Sequence, residues 1–298
     1  MPEGDQAHFL PAMLASLFLL QAAIPSPETT LTGTFRNRRL TESSGVVVSR
    51  AHVGILWTHN DSGDRPYLYA TDVHGTDRGA VRVTGAKNVD WEALSHGPCP
   101  DAPGECIYIG DTGDNLQDHR SVTIYAVPEP QPPTGPADTL RATPPARVLR
   151  FRYPDGPRDV EALFVSPHDS AVYLISKGRN GPVRLYRLPR SAWSAGTTVR
   201  AEVLQRLPII PDASSGRLVT DAAIRRDGAL VAVRTYTEIY FFIPRPGGRL
   251  SPIGPVCPIA GLERIGEAID FLDDSTFVLT SEADFFGRGT LHTVRCAH

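Results

Sequence analysis

The chain holds 298 residues with nearly balanced charge, 30 Lys and Arg against 33 Asp and Glu, for a formal net charge of −3. That balance excludes the basic surplus of a nucleic-acid binder, and 41% hydrophobic with 21% charged residues excludes disorder by composition. The 26 Gly and 27 Pro among 9 Tyr and 11 Phe argue for short strands and many turns over long helices.

From the N-terminus, residues 9–24 form an uncharged apolar run, short for a membrane span and suited to the core of a secretory signal. Residues 1–27 are therefore read as a signal peptide or uncleaved anchor, although Glu3 and Asp5 stand where basic residues are usual. Residues 28–298 are the mature domain, expected in the cell envelope or secreted, and touching a membrane only if the leader stays attached. Four cysteines agree with export. Cys99 and Cys106 bracket a turn-rich segment, and Cys257 and Cys296 remain as the second pair; three pairings are open to sequence alone.

The elements that follow repeat. Residues 29–38 form a lone strand candidate. Then come five copies of one pattern: an acidic residue with small and apolar residues, a first strand, a second strand and a third. The first strands open at 42–48 (ESSGVVV), 90–94 (DWEAL), 159–165 (DVEALFV), 219–224 (VTDAAI) and 266–271 (GEAIDF). Second strands are expected at 55–58, 107–110, 172–176, 230–234 and 277–281. Third strands are expected at 67–70, 122–127, 183–188, 238–242 and 290–294, all rich in Val, Ile and Tyr between Gly, Asp and Pro turns. The acidic marks Glu42, Glu92, Glu161, Asp221 and Glu267 are spaced by 50, 69, 60 and 46 residues. Periods of that size predict an all-β ring of four-stranded antiparallel units, a single β-propeller. Five blades are favoured over six. The last copy ends after its third strand, so the strand at 29–38 is expected to close the ring. The Pro-rich stretch 128–145 is expected to be an exposed loop.

In such units the start of the first strand and the end of the second lie at one edge, so the marked residues gather at one mouth. Glu42, Glu92, Glu161, Asp221 and Glu267 are expected around the channel, with Ser43 and Ser44 beside the first. Converging carboxylates repel unless protonated or neutralised. A hard cation neutralises them, Ca²⁺ with its ~6–8 oxygen ligands before Mg²⁺ with its stricter octahedron. In the alternative each acid holds the ring by accepting backbone amides of the next blade. Lys177, Arg179, Arg234, Asp114, Asn115 and Glu282 are expected to line the mouth and hold a small anionic ligand. Asp61, Asp111 and His59 are the candidates to orient a metal-bound water. The equal offsets from Glu42 to Glu92 and from Asp61 to Asp111 suggest one shared register. The Asp-Ser-Gly and Asp-Thr-Gly triplets at 61 and 111 match the aspartic-protease signature, but 50 residues apart they sit within the finer repeat. No nucleophile elbow, Walker loop or dinucleotide fingerprint occurs in the chain.

The motifs ESSG at 42–45, LWTHNDSG at 56–63, NVDWEAL at 88–94 and GDTGDN at 110–115 resemble a group of exported bacterial propeller proteins, mostly without assigned activity. More remotely the layout is similar to the calcium-activated nucleotidases (apyrases), five-bladed propellers with a channel calcium held by glutamates and serines near inner-strand starts. By position that resemblance implies Glu92, Glu161 and Glu267 as ligands, Ser43 or Ser44 as a serine ligand, and Thr220 in place of Asp221. The turn at 281–284 is similar to that family's final-blade turn. The expected function is a metal-dependent hydrolase of phosphoanhydride, phosphoester or lactone bonds. The alternative is a non-catalytic propeller binding a ligand or protein partner, with a structural metal or acidic ring. Either is expected as a monomer without nucleic acid.

Overall fold

The computed structural model describes residues 26–135 and 141–298; the expected leader lies almost wholly outside them. Twenty-one strands build five sheets around an axis. Blade 1 is β2 (Ser43–Val48), β3 (Leu56–Asn60), β4 (Tyr67–Thr71) and β5 (Ala80–Arg82). Blade 2 is β6 (Trp91–Pro98), β7 (Glu105–Asp111), β8 (Val122–Pro128) and β9 (Arg147–Arg152). Blade 3 is β10 (Val160–Val165), β11 (Val172–Ser176), β12 (Arg184–Leu188) and β14 (Glu202–Arg206), with the two-residue β13 (Val199–Arg200) pairing in parallel on β9 of blade 2. Blade 4 is β15 (Val219–Ile224), β16 (Val231–Thr235), β17 (Glu238–Pro244) and β18 (Leu250–Pro258). Blade 5 is β19 (Gly266–Phe271), β20 (Thr276–Ser281) and β21 (Thr290–Arg295), completed by β1 (Glu28–Thr34). The expected all-β propeller is therefore a ring of five blades. Its closure is the expected one: β1 pairs antiparallel with β21, from Glu28 opposite Arg295 to Thr34 opposite Thr290.

Alternating Val, Ile, Leu and aromatic residues give each strand two apolar faces because each blade is covered on both sides by its neighbours. Strand β10 is buried at every position, as are β3, β11, β15 and β16. Between blades, large side chains fill the gaps: Trp57 and Trp91 join one cluster, Leu163, Val172 and Tyr186 another, and Phe241, Phe277 and Leu279 a third.

Two disulfides, Cys99–Cys106 and Cys257–Cys296, realise the expected pairs. The first closes the tip of the β6–β7 hairpin; the second ties β18 of blade 4 to the residue after β21 of blade 5. Among the described residues no helix is long and apolar enough to cross a membrane. Where described, the Pro-rich stretch is the largely exposed or half-buried loop expected of it, although Thr143 within it is buried and its Oγ1 accepts the Thr84 amide of blade 1 at 3.1 Å.

Candidate functional site

Each inner strand carries a β-bulge at one and the same place. The pairing steps from Ser43–Asn60 to Gly45–His59 and skips Ser44; from Trp91–Asp111 to Ala93–Gly110 and skips Glu92. Blade 3 skips Glu161, blade 4 skips Thr220 and blade 5 skips Glu267. A bulge leaves one residue out of the ladder and re-aims its side chain. Ser44, Glu92, Glu161, Thr220 and Glu267 are thus equivalent, all at the start of a strand beside the axis, and all buried. Two further layers follow from the same register. Two residues before each bulge stand Glu42, Asp90, Asp159, Leu218 and Ile265; one residue past each second strand stand Asp61, Thr112, Lys177, Tyr236 and Glu282. Backbone bonds link these two layers in four blades: Asp61 N to Glu42 O, Thr112 N to Asp90 O, Lys177 N to Asp159 O and Glu282 N to Ile265 O, at 2.9–3.1 Å.

Carboxylates from three blades crowd here. One oxygen each from Asp61, Asp90 and Glu92 lie within 4.8 Å of one another, as do oxygens of Glu92, Asp159 and Glu161. Ser44 Oγ donates to Glu92 Oε2 at 3.0 Å, Tyr236 Oη donates to Glu267 Oε1 at 3.2 Å, and Glu267 Oε2 has no partner among the described residues. Lys177 Nζ lies 2.7 Å from Glu161 Oε1 and 6.0 Å from the Tyr236 ring centroid. Gly113 runs along the cluster with bare backbone: a Cβ there would stand 2.3 Å from Glu92 Oε1 and 2.5 Å from Asp90 Oδ2. Only glycine leaves room for both acids.

Burial dominates the electrostatics. It pushes Glu92 and Glu161 well above the usual carboxylate range, with Glu161 adding to the shift at Glu92 and Lys177 opposing the shift at Glu161. Burial raises Glu267 to about 7 against the pull of Lys177, Arg234 and Tyr236. Asp90 rises to about 7 through burial and the charge of Asp61. Glu282 rises to about 8 through burial and the charges of Glu267, Asp61 and Glu42. Burial pulls Lys177 down, yet Glu161, Tyr236 and Glu267 more than offset this and keep it above the usual lysine range.

Several expected site residues are placed elsewhere. Glu42 is exposed and belongs to the layer of Asp90 and Asp159, two residues before the bulge; Ser44 takes the ring position. Asp221 lies one residue past the bulge. Its carboxylate accepts the amides of Ala222 at 2.8 Å and of Ile269 in blade 5 at 2.9 Å, so it clamps two blades and Thr220 takes the ring position. Arg234 is 1% exposed and does not line the mouth as a ligand group. It donates to Ala268 O at 2.6 Å and Thr280 O at 3.2 Å, and pairs with Glu263. His59 is fully buried, donates from Nδ1 to Asn60 O at 2.9 Å, and meets Trp91 edge-on with centroids 5.5 Å apart. Burial lowers its pKa to about 4, and no water-orienting position at the mouth is open to it. Asp111 Oδ1 accepts the amides of Val89 at 3.1 Å and Asp90 at 2.8 Å, pinning a turn. Because Asp111 pairs with Trp91 whereas Asn60 pairs with Ser43, Asp61 and Asp111 are not equivalent, and their equal offset is a coincidence of loop lengths.

Of the rest of the expected set, Arg179 and Asn115 meet at the mouth, whereas Asp114 does not bind there. Arg179 donates to Asp159 Oδ2 at 3.3 Å and to Asn115 Oδ1 at 2.9 Å, bridging blades 2 and 3 at the mouth. Asp114 caps its own turn, accepting the amides of Asp118 and His119 at 2.9 Å. Beside Arg179 and Asp159 a cavity of about 50 Å³ opens, room for an ion or water and little more. Asp90, Asp159 and Tyr236 complete the cluster beyond the residues expected from sequence. The signal for the first two is the Asp-x-Glu spacing shared by blades 2 and 3, while Tyr236 shows only through its register with Lys177.

No known protein family and no curated protein matches the chain. Among solved structures the chain is similar to the PQQ-bound form of an aldose sugar dehydrogenase from Streptomyces coelicolor, with 12% identity, 92% of this chain and 99% of that one covered, and a TM-score of 0.52. It is similar also to a streptogramin B lyase, with 10% identity, 91% and 98% covered, and a TM-score of 0.47. At 12% identity the first likeness bears on the propeller fold alone.

Proposed function

We propose that this chain is an exported, calcium-dependent propeller hydrolase acting on phosphate or ester bonds, with its metal on the axis. The observation that carries the reading is the ring of bulge residues. Glu92, Glu161 and Glu267 are buried together, with Ser44 and Thr220 completing the circle and Glu267 Oε2 without a partner among the described residues. Burying three carboxylates beside a single ammonium is costly without a further cation. All-oxygen donors, two of them hydroxyls from separate blades, suit Ca²⁺ better than Mg²⁺. The apyrase resemblance implies Glu92, Glu161 and Glu267 as ligands, with Ser43 or Ser44 as a serine ligand and Thr220 in place of Asp221. Bound there, the ion would supply Lewis-acid polarisation of a substrate oxygen.

Above the ring, Asp61 and Asp90 sit close enough to share a proton, and a carboxyl near 7 suits general acid–base work at neutral pH. Arg179, held from below by Asp159 and Asn115, is placed to orient an anionic group at the mouth. Export is supported by the two disulfides and by the apolar run at 9–24.

A purely structural clamp is the rival. Against it, the ring is already closed by β1 and clasped between blades 4 and 5 by Asp221, Arg234 and Cys257–Cys296. The test is calorimetric titration with Ca²⁺ and Mg²⁺, then assays on nucleoside diphosphates, aryl phosphates, esters and lactones with and without chelator. Binding of one Ca²⁺ per chain, lost in Glu92→Gln, with chelator-sensitive turnover is the expected result. Binding without turnover on every substrate favours the clamp, and absence of binding overturns the metal site.

A further inference from the structure

Of the 30 basic residues in the chain only two, Lys87 and Lys177, are lysines. Lys87 is exposed; Lys177 is 6% exposed within the axial cluster. Its mount is rigid. Lys177 N donates to Asp159 O and Lys177 O accepts the Val219 amide, both at 3.0 Å, so the residue is stitched between blades 3 and 4. Gly178 behind it adopts a φ of +88°, and a Cβ there would stand 2.8 Å from Pro211 Cβ, which fixes the turn. From this mount the ammonium reaches Glu161 at 2.7 Å, and its field is felt at Asp61, Glu92, Glu267 and Glu282. A guanidinium is larger and planar, and its fork would demand a bidentate partner; an ammonium is a compact point charge with three donors.

We infer that Lys177 is a tethered cation that sets the charge selectivity of the axial site. Three ring glutamates carry three negative charges when ionised, and one ammonium leaves a net charge that a divalent ion balances. The inference rests on the metal reading above and adds to it a residue that touches the ring carboxylate of Glu161 without being a ligand of the ion. Lys177 repels any incoming cation in proportion to that cation's charge. Removing it therefore favours every cation and favours a trivalent one more than a divalent one.

The experiment compares wild type, Lys177→Gln and Lys177→Arg by Tb³⁺ luminescence, sensitised through Tyr236, with Ca²⁺ as competitor. In Lys177→Gln, Ca²⁺ binding is expected to tighten on the order of tenfold and Tb³⁺ binding ~30-fold, the ratio following from ion charge. Lys177→Arg keeps the charge and is expected to leave the Tb³⁺-to-Ca²⁺ ratio unchanged. Unchanged or weaker Ca²⁺ and Tb³⁺ binding in Lys177→Gln, while wild type binds Ca²⁺, overturns the role of Lys177 and leaves the metal site standing. No binding of either ion by any of the three proteins overturns both. If Lys177→Gln does not fold, the Nζ resonance of Lys177 is followed in ¹⁵N-lysine-labelled wild type, assigned with Lys87→Arg. A shift at one equivalent of Ca²⁺ supports the inference, and an unmoved resonance in protein that binds Ca²⁺ overturns it.

Discussion

Asp221 of blade 4 accepts the backbone amide of Ile269 in blade 5 at 2.9 Å, and both groups are buried. This carboxylate does what the acidic mark of each blade would do in a purely structural ring, whereas its neighbour Thr220 faces the axis. The same division recurs in blade 5, where Asp270 Oδ2 accepts the Val48 amide of blade 1 at 2.7 Å, three residues after Glu267. Asp221 and Asp270 clamp without entering the ring, whereas the ring residue Thr220 also donates to Glu267 O of blade 5 at 2.7 Å, so mutation of the carboxylates separates the two roles.

Asp221→Ala should cost about 2–4 kcal/mol, because it removes a buried acceptor and strands the Ile269 amide. Glu42→Gln, at an exposed position, should change stability by no more than about 0.5 kcal/mol. Urea denaturation of both variants measures this. Equal losses would contradict the division between clamp and rim.

Calcium should raise the melting temperature of wild type, by a stabilisation of about 2.7 kcal/mol at a hundredfold excess over Kd. Glu267→Gln and Glu161→Gln should lose most of this shift, while Asp221→Asn should keep it from a lower starting point. Calorimetry with Ca²⁺ and with chelator distinguishes these outcomes.

Gly113→Ala should damage the site more than the fold. Its methyl group has no place between Glu92 Oε1 and Asp90 Oδ2, so the acids must part. The expected result is a stability loss of about 1–3 kcal/mol together with at least tenfold weaker Ca²⁺ binding. Titration of the folded variant is the measurement, and unchanged affinity would show that the close approach is irrelevant to the ion.

Metal-free protein should grow less stable as pH rises from 6.5 to 8.5. Asp90 and Glu267 titrate near 7 and Glu282 near 8 when folded, far above unfolded carboxyls, so the native state binds more protons through this window. Their contribution is present at low pH and lost as pH climbs through those values. Below 6.5 the buried His59 and His96, held near 4, act in the opposite sense, since the unfolded chain takes up protons that the native state refuses. Two histidines offset only part of the excess of three carboxyls, so thermal melts across pH in chelator should fall steadily from about pH 5 to pH 8.5, and saturating Ca²⁺ should flatten that decline.

Reducing the disulfides tests the outer frame. Cys257→Ser with Cys296→Ser opens a loop closed across 39 residues of sequence and should cost ~4 kcal/mol, against ~2.5 kcal/mol for the separation of 7 in Cys99–Cys106. Denaturant midpoints of the two double variants give the comparison.

The blades are legible in the amino-acid pattern. Strand periodicity, turn residues and a fivefold recurrence are local signals, and the closing strand follows from the fourth strand that the last copy lacks; of the three cysteine pairings open to sequence, the folded chain selects one. The same pattern also marks three ring residues, Glu92, Glu161 and Glu267, since each follows the start of a Val-, Leu- or Ile-rich inner strand. Register, by contrast, is set by the folded ring. A bulge adds one residue to one strand of a pair, and nothing local in ESSG or VTDA says whether the extra residue is the acid or its neighbour. Hydrogen bonding across the hairpin fixed Ser44 and Thr220 at the axis and turned Asp221 toward the next blade. Likewise Arg234 and His59 sit on inward-facing positions of second strands, where the adjoining blade covers them. Burial of that kind arises from the ring as a whole and is not written in any one repeat.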